Sequence, residues 1–187
     1  MAELKTTQDI AHIIEQDAWM MKILFLVRGL HLPDWWIGAG FVRSKVWDYL
    51  HDYQERTPLP DVDVIYFDKN NLSEEIEEKY QDTLRKSMPE VEWSVTNQAR
   101  MHAFKGDKPY KSAEEGLSHW VEIPTCVGAK VTDNDEVMIT APWGVEDLLG
   151  LIVRPNPHCR DNPDSFRRRM KQKNWPGKWP KLKILYT

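Results

Sequence analysis

Within residues 35–67 two short apolar runs flank a helical stripe, and each run is marked by small or acidic residues at its edge. Trp35-Trp36-Ile37 leads straight into Gly38-Ala39-Gly40. Val42, Val46, Tyr49, Leu50 and Tyr53 then recur at helical spacing. Thr57-Pro58-Leu59-Pro60 forms a turn into Asp61-Val62-Asp63-Val64-Ile65-Tyr66-Phe67, whose β-branched and aromatic content reads as a strand. A strand, a glycine turn, a helix and a second strand must bury one sheet face under that helix. This restricts the chain to the α/β and α+β classes.

The remaining sequence extends this layout. Ile10, Ile13, Ile14, then Met20, Ile23, Leu24 and Val27 predict one or two helices over residues 8–28, ended by Gly29 and Pro33. Ser73 is an expected N-cap for a helix carrying Ile76, Tyr80 and Leu84 inward and stopping before Pro89. Residues 91–97 read as a third strand. Residues 126–131 and 136–141 read as a hairpin around Thr132-Asp133-Asn134-Asp135. A helix is expected over 145–153 and another over 163–173, followed by an extended tail. The expected architecture is a single domain over 1–187 with one mixed β-sheet flanked by helices. It divides into an N-terminal helical segment (8–33), a core (34–153) and a C-terminal extension (154–187).

Charge is distributed unevenly. The net charge of -4 conceals ten Lys and Arg in residues 154–187 against Asp161 and Asp164, so the rest of the chain is strongly acidic. Such an end can meet polyanions, or can lie on its own acidic body; the second reading is favoured. Trp175 and Trp179, interleaved with Lys173 and Lys178, keep single-stranded nucleic acid open as a partner. The longest apolar run, residues 19–27, contains Lys22 and is too short to span a membrane. No secretory leader is readable at the N-terminus, so a cytoplasmic location is expected. Cys126 and Cys159 have neither disulfide-scaffold nor zinc-ribbon spacing. His158 beside Cys159 has no second ligand pair.

The chemistry concentrates in residues 35–67. Glycine between a strand and a helix lets backbone N–H groups approach a ligand, and the helix start at residues 41–43 has unpaired donors suited to phosphate. The turn completes neither a dinucleotide fingerprint, since Arg43 stands at the third glycine position, nor a Gly-Lys-Ser/Thr phosphate loop. Arg43 is either a phosphate contact or an exposed helix cation. Asp61 and Asp63 lie two apart on a strand and so point the same way. Their mutual repulsion favours a cation between them, and Mg²⁺ takes such hard oxygen ligands.

Together, Trp36 to Arg43 and Asp61-Val62-Asp63-Val64 resemble the nucleotidyltransferase superfamily of polymerase-β-like fold. The likeness to its small bacterial members of uncharacterised substrate extends through residues 46–48, 93–102, 141–144 and 153–155. The resemblance implies a magnesium- or manganese-dependent transfer of a nucleoside monophosphate from a nucleoside triphosphate to a hydroxyl acceptor. It implies that Gly38, Ala39, Gly40 and Arg43 bind the nucleotide and that Asp61 and Asp63 hold the metal. The superfamily's third acid falls here on either Glu92, at the beginning of the third strand, or Asn97, at its end. With Asn97 there, the fold would carry an amide and the chain could be a silent binder. Arg100 and His102, on nearly opposite sides of a helix, are not expected to act together.

Overall fold

The computed structural model describes residues 3–159 and 163–186. The N-terminal segment is two helices, of which α1 (Thr7–Glu15) starts at a Thr6/Asp9 capping box. After Gln16, Asp17 caps α2 (Ala18–Arg28) by accepting a hydrogen bond from Met20 N–H at 3.2 Å. There follow β1 (Trp36–Gly38), α3 (Gly40–Leu50), β2 (Val62–Tyr66), α4 (Glu74–Ser87), β3 (Trp93–Asn97), α5 (Gln98–Lys105) and α6 (Ala113–Ser118). The second half holds β4 (Gly128–Val131), β5 (Val137–Thr140), α7 (Glu146–Leu149), β6 (Ile152–Val153), α8 (Pro163–Lys173), α9 (Trp175–Lys178) and β7 (Lys183–Ile184). No helix among the described residues is long and apolar enough to cross a membrane.

The five long strands form one mixed sheet in the order β3-β2-β1-β4-β5. β2 and β3 are parallel because α4 carries the chain back across the sheet, whereas the other neighbours are antiparallel. Alternation along the strands gives the sheet two unlike faces. Ile37, Val62, Val64, Tyr66, Trp93, Val95 and Ala129 bury against the N-terminal helices and α3 in the main core. Each large apolar side chain so buried contributes about 1.5–3 kcal/mol. The opposite face presents Trp36 and Ile65 to Ala113 and Leu117 on α6, a much smaller cluster. That thin cover leaves room on the sheet beside Asp61 and Asp63.

The C-terminal extension lies on this body. Trp175 and Trp179 pack edge-on against Trp47 of α3 at centroid distances of 5.4 and 5.0 Å. Trp179 also donates its indole N–H to Asp48 at 2.7 Å. β7 pairs with β6 in a separate two-stranded sheet. The expected extended tail is therefore corrected to a helical turn and a paired strand, and its two tryptophans are buried rather than open to stack on bases. The expected helix over 145–153 ends at Leu149. Gly150 and Leu151, the latter at φ 55, turn the chain into β6. Ser73 is the N-cap of α4 but its side chain makes no capping hydrogen bond. Arg160 and Asp161 of the basic segment lie outside the described residues.

Candidate active site

Ala39, Gly40 and Arg43 from the β1–α3 junction, Asp61 just before β2 and Asp63 within it line one cavity of about 360 Å³. The two stretches, about twenty residues apart in sequence, converge because β1 and β2 are antiparallel neighbours, with Ile37 opposite Val64. Asp63 shares the sheet face of Ile65, away from the main core. Gly38 is not part of the lining. A Cβ there would come within 2.9 Å of the Trp120 ring, so this glycine serves packing. Ala39 instead carries the unusual backbone, at φ 45 and ψ -113, and its N–H is already donated to Val127 O at 3.0 Å. The first N–H groups of α3 beyond it have no helical acceptor.

Arg43 is only 8% exposed, with its guanidinium 4.4 Å from the centroid of Trp175 and 5.2 Å from that of Trp47. Burial pulls its pKa down to about 10, against the opposing pull of Glu122, Asp63 and Asp61, so it stays charged at neutral pH. Its Nε has no hydrogen-bond partner among the described residues, a state that costs free energy until an acceptor arrives. Arg169 and Lys173 enter the same cavity from α8, four residues apart on one helix face. Arg169, itself half-exposed, is held by an ion pair with the buried Glu122, in which Nη2 donates at 3.4 Å and Nε at closer range. Thr125 also donates to Glu122, at 3.1 Å.

Burial and then the neighbouring Asp61 push Asp63 up to about 6, while Arg43, Lys173 and the Ser94 hydroxyl oppose the shift. Two carboxylates converging on a water-accessible cavity, one of them resisting ionisation, fit a hard divalent cation. Among the described residues no group of three or more His, Cys, Asp or Glu could hold a metal. The pair would thus share the ion with water and substrate oxygens, the coordination Mg²⁺ prefers.

Residues 26–184 match a family model described as nucleotidyltransferase. The chain belongs to this nucleotidyltransferase family. A solved NMR structure described as revealing a CCA-adding enzyme head domain is 32% identical, with a TM-score of 0.86, over 100% of this chain and 98% of that one. A CCA-adding enzyme in complex with CTP is 12% identical, with a TM-score of 0.58 over 99% of this chain and 44% of that one. The Thermotoga maritima CCA-adding enzyme complexed with tRNA gives 12% and 0.57 over 99% and 43%. This chain thus spans less than half the length of those two enzymes, and at such identity they show the fold alone. No protein of curated function matches the sequence. Family membership supports nucleotidyl transfer as the general chemistry.

In this nucleotidyltransferase the β2–β3 register puts Ser94 beside Asp63. Glu92 lies one step before β3, where its carbonyl accepts from Val62 N–H at 2.8 Å. It shares with Asp61 an adjoining cleft of about 290 Å³, not the main cavity. Asn97 is corrected from a site residue to a structural latch. Paired with Tyr66, three residues past Ser94, it falls on the other sheet face and is 1% exposed. Its Nδ2 donates to Asp68 O at 2.7 Å and Asn71 O at 2.9 Å. Its Oδ1 accepts from Asp68 N–H at 3.0 Å and Ala99 N–H at 3.1 Å. Arg100 is bound to Glu77, and His158 stacks on His119 at 3.9 Å; neither lines the cavity. Arg169, Lys173, Glu122 and Ser94 were missed by sequence reasoning. The basic pair four apart in a helix docked on an acidic body was the available signal for the first two.

Proposed function

We propose that this chain is a divalent-metal-dependent nucleotidyltransferase that moves a nucleoside monophosphate from a nucleoside triphosphate to a hydroxyl acceptor. The observation that carries this reading is that two carboxylates and three cationic side chains share one cavity with the opening of α3. Asp61 and Asp63 would hold Mg²⁺ or Mn²⁺, which when bound neutralises charge on the attacking and leaving oxygens of an in-line displacement. Gly40 and the first turn of α3 supply N–H donors to the phosphates. Arg43, packed against two indole rings, and Arg169, fixed by Glu122, offer guanidinium groups in set orientations, the arrangement that suits phosphate oxygens. Lys173 adds a point charge. The acceptor oxygen bonds to the α-phosphorus, pyrophosphate leaves with the bridging oxygen, and the hydroxyl proton passes to water.

One observation favours a second reading, a nucleotide-binding member without turnover: the neighbouring strand offers the Ser94 alcohol, not a carboxylate, beside Asp63. An alcohol is a far weaker base toward an acceptor hydroxyl. Incubation with Mg²⁺ and α-³²P-labelled nucleoside triphosphates separates the two. Release of pyrophosphate with label retained on an acceptor, lost in Asp61→Asn and Asp63→Asn, establishes the transferase. Binding of Mg·ATP without release across all acceptors supports the silent binder.

A further inference from the structure

A second cavity, of about 180 Å³, opens on the far side of Asp63. Asp63 and Trp120 line both cavities, and there the similarity ends. The second is walled by Ile65 on β2, Thr96 on β3, Gln98 and Met101 on α5, and Tyr110 before α6. Apart from Asp63 its lining carries no charge. Its room matches roughly six water volumes of about 30 Å³ each. Gln98 is 3% exposed, and its side chain lines the cavity. Its amide offers both a donor and an acceptor to a ligand in the cavity. Gly116 permits this: a Cβ there would lie 2.6 Å from Gln98 Oε1.

We infer that this cavity is the acceptor site and that the acceptor is an uncharged, hydroxyl-bearing ring of about monosaccharide size; the inference rests on the transferase reading above. Sheet order supplies the direction. The phosphate-binding groups Ala39, Gly40 and Arg43 lie on the β1 side of Asp63, whereas Thr96, Gln98 and Met101 lie on the β3 side. An in-line displacement needs the nucleophile opposite the leaving pyrophosphate, which places the acceptor on the β3 side. The acceptor oxygen forms the new bond to the α-phosphorus, the bond to the bridging oxygen breaks with its electron pair going to pyrophosphate, and the hydroxyl proton goes to water. The indole of Trp120 offers an apolar wall for a ring, and the Thr96 hydroxyl and Gln98 amide offer neutral hydrogen bonds to its hydroxyls. A nucleic-acid strand finds no cation here for its phosphates.

Full-length protein labelled at the methionine methyls and tryptophan indoles, titrated by NMR with myo-inositol, D-glucose or D-ribose, tests this site directly. The titrations are run without nucleotide and again with Mg²⁺ and an α,β-methylene ATP analogue. The expected result is a shift of Met101 and Trp120 signals by at least one ring, retained with the nucleotide bound. Met101→Trp, which fills the cavity, and Gln98→Met, which removes only the amide, should each weaken ring binding at least about tenfold, or about 1.4 kcal/mol. Both should leave Mg·nucleotide binding in place. Shifts caused by the nucleotide alone and blocking the ring would overturn the proposal by assigning the cavity to the nucleoside. Shifts caused only by an RNA with a free 3′-hydroxyl, or by none of these probes, overturn it as well. Failure of the transferase reading is distinguishable, because it removes the nucleotide response at the indoles of Trp47 and Trp175, which contact Arg43, whether or not a ring binds.

Discussion

Asp63 of β2 stands directly opposite Ser94 of β3 in the parallel register, so the strand beside the acid pair presents a hydroxyl to it. Ser94→Asp would bring a third negative charge to a carboxyl that burial and Asp61 already push up to about 6. The variant is expected to lose about 1–2 kcal/mol of stability in EDTA, from like charges in a partly desolvated site. Mg²⁺ should restore most of it. Thermal unfolding with and without Mg²⁺ reads both effects.

The raised pKa of Asp63 also fixes a pH dependence. A carboxyl that holds its proton more tightly folded than unfolded costs stability as pH rises between its unfolded value, near 3.8, and its folded value of about 6. Above that window the cost is complete. In the absence of metal, Asp63→Asn is therefore expected to exceed the wild type in stability by up to about 3 kcal/mol at pH 8, with the difference vanishing below pH 4. Urea denaturation across pH checks this. The same competition between proton and cation predicts that the stabilisation by Mg·ATP grows as pH rises through 6.

Ala39 adopts φ 45 and ψ -113, a region that essentially only glycine occupies without strain. Ala39→Gly should raise stability by about 1 kcal/mol, the relieved strain exceeding the added flexibility of the unfolded chain. Gly38→Ala should do the reverse, because its Cβ would strike the Trp120 ring. Melting temperatures of the two variants should move in opposite directions.

Trp179 ties the basic extension to α3 through Asp48 and Trp47 and does not itself line the cavity. Trp179→Ala is expected to cost about 3–5 kcal/mol. Without that anchor, α8 no longer holds Arg169 and Lys173 in the cavity. Mg·ATP affinity, measured by calorimetry under conditions where the variant is folded, should fall by tenfold or more. An unchanged affinity would show that α8 keeps its place by other contacts.

The sequence carried most of the architecture, and for identifiable reasons. The strands over 36–38, 62–66 and 93–97 and the hairpin were legible because they are short runs rich in β-branched and aromatic residues. The pairing of a glycine turn with Asp61 and Asp63 was legible because both belong to short, rigid elements. α5 and α6 were not, since Gln98 to Lys105 and Ala113 to Ser118 lack a clear apolar stripe. Glu122, which fixes Arg169 from 47 residues away, leaves no local signal at all. The third-acid position stayed open between Glu92 and Asn97 because strand parity, which turns Asn97 away from the acids, depends on a register that only the β2–β3 pairing reveals.

Calorimetric titration with Mg·ATP of the wild type and of the doubly substituted Asp61→Asn, Asp63→Asn protein tests the shared site most directly. The account predicts saturable binding to the wild type that needs the metal and weakens at least about tenfold, or about 1.4 kcal/mol, in the double variant. Equal affinity in the two proteins, or binding to the wild type that ignores Mg²⁺, would contradict it.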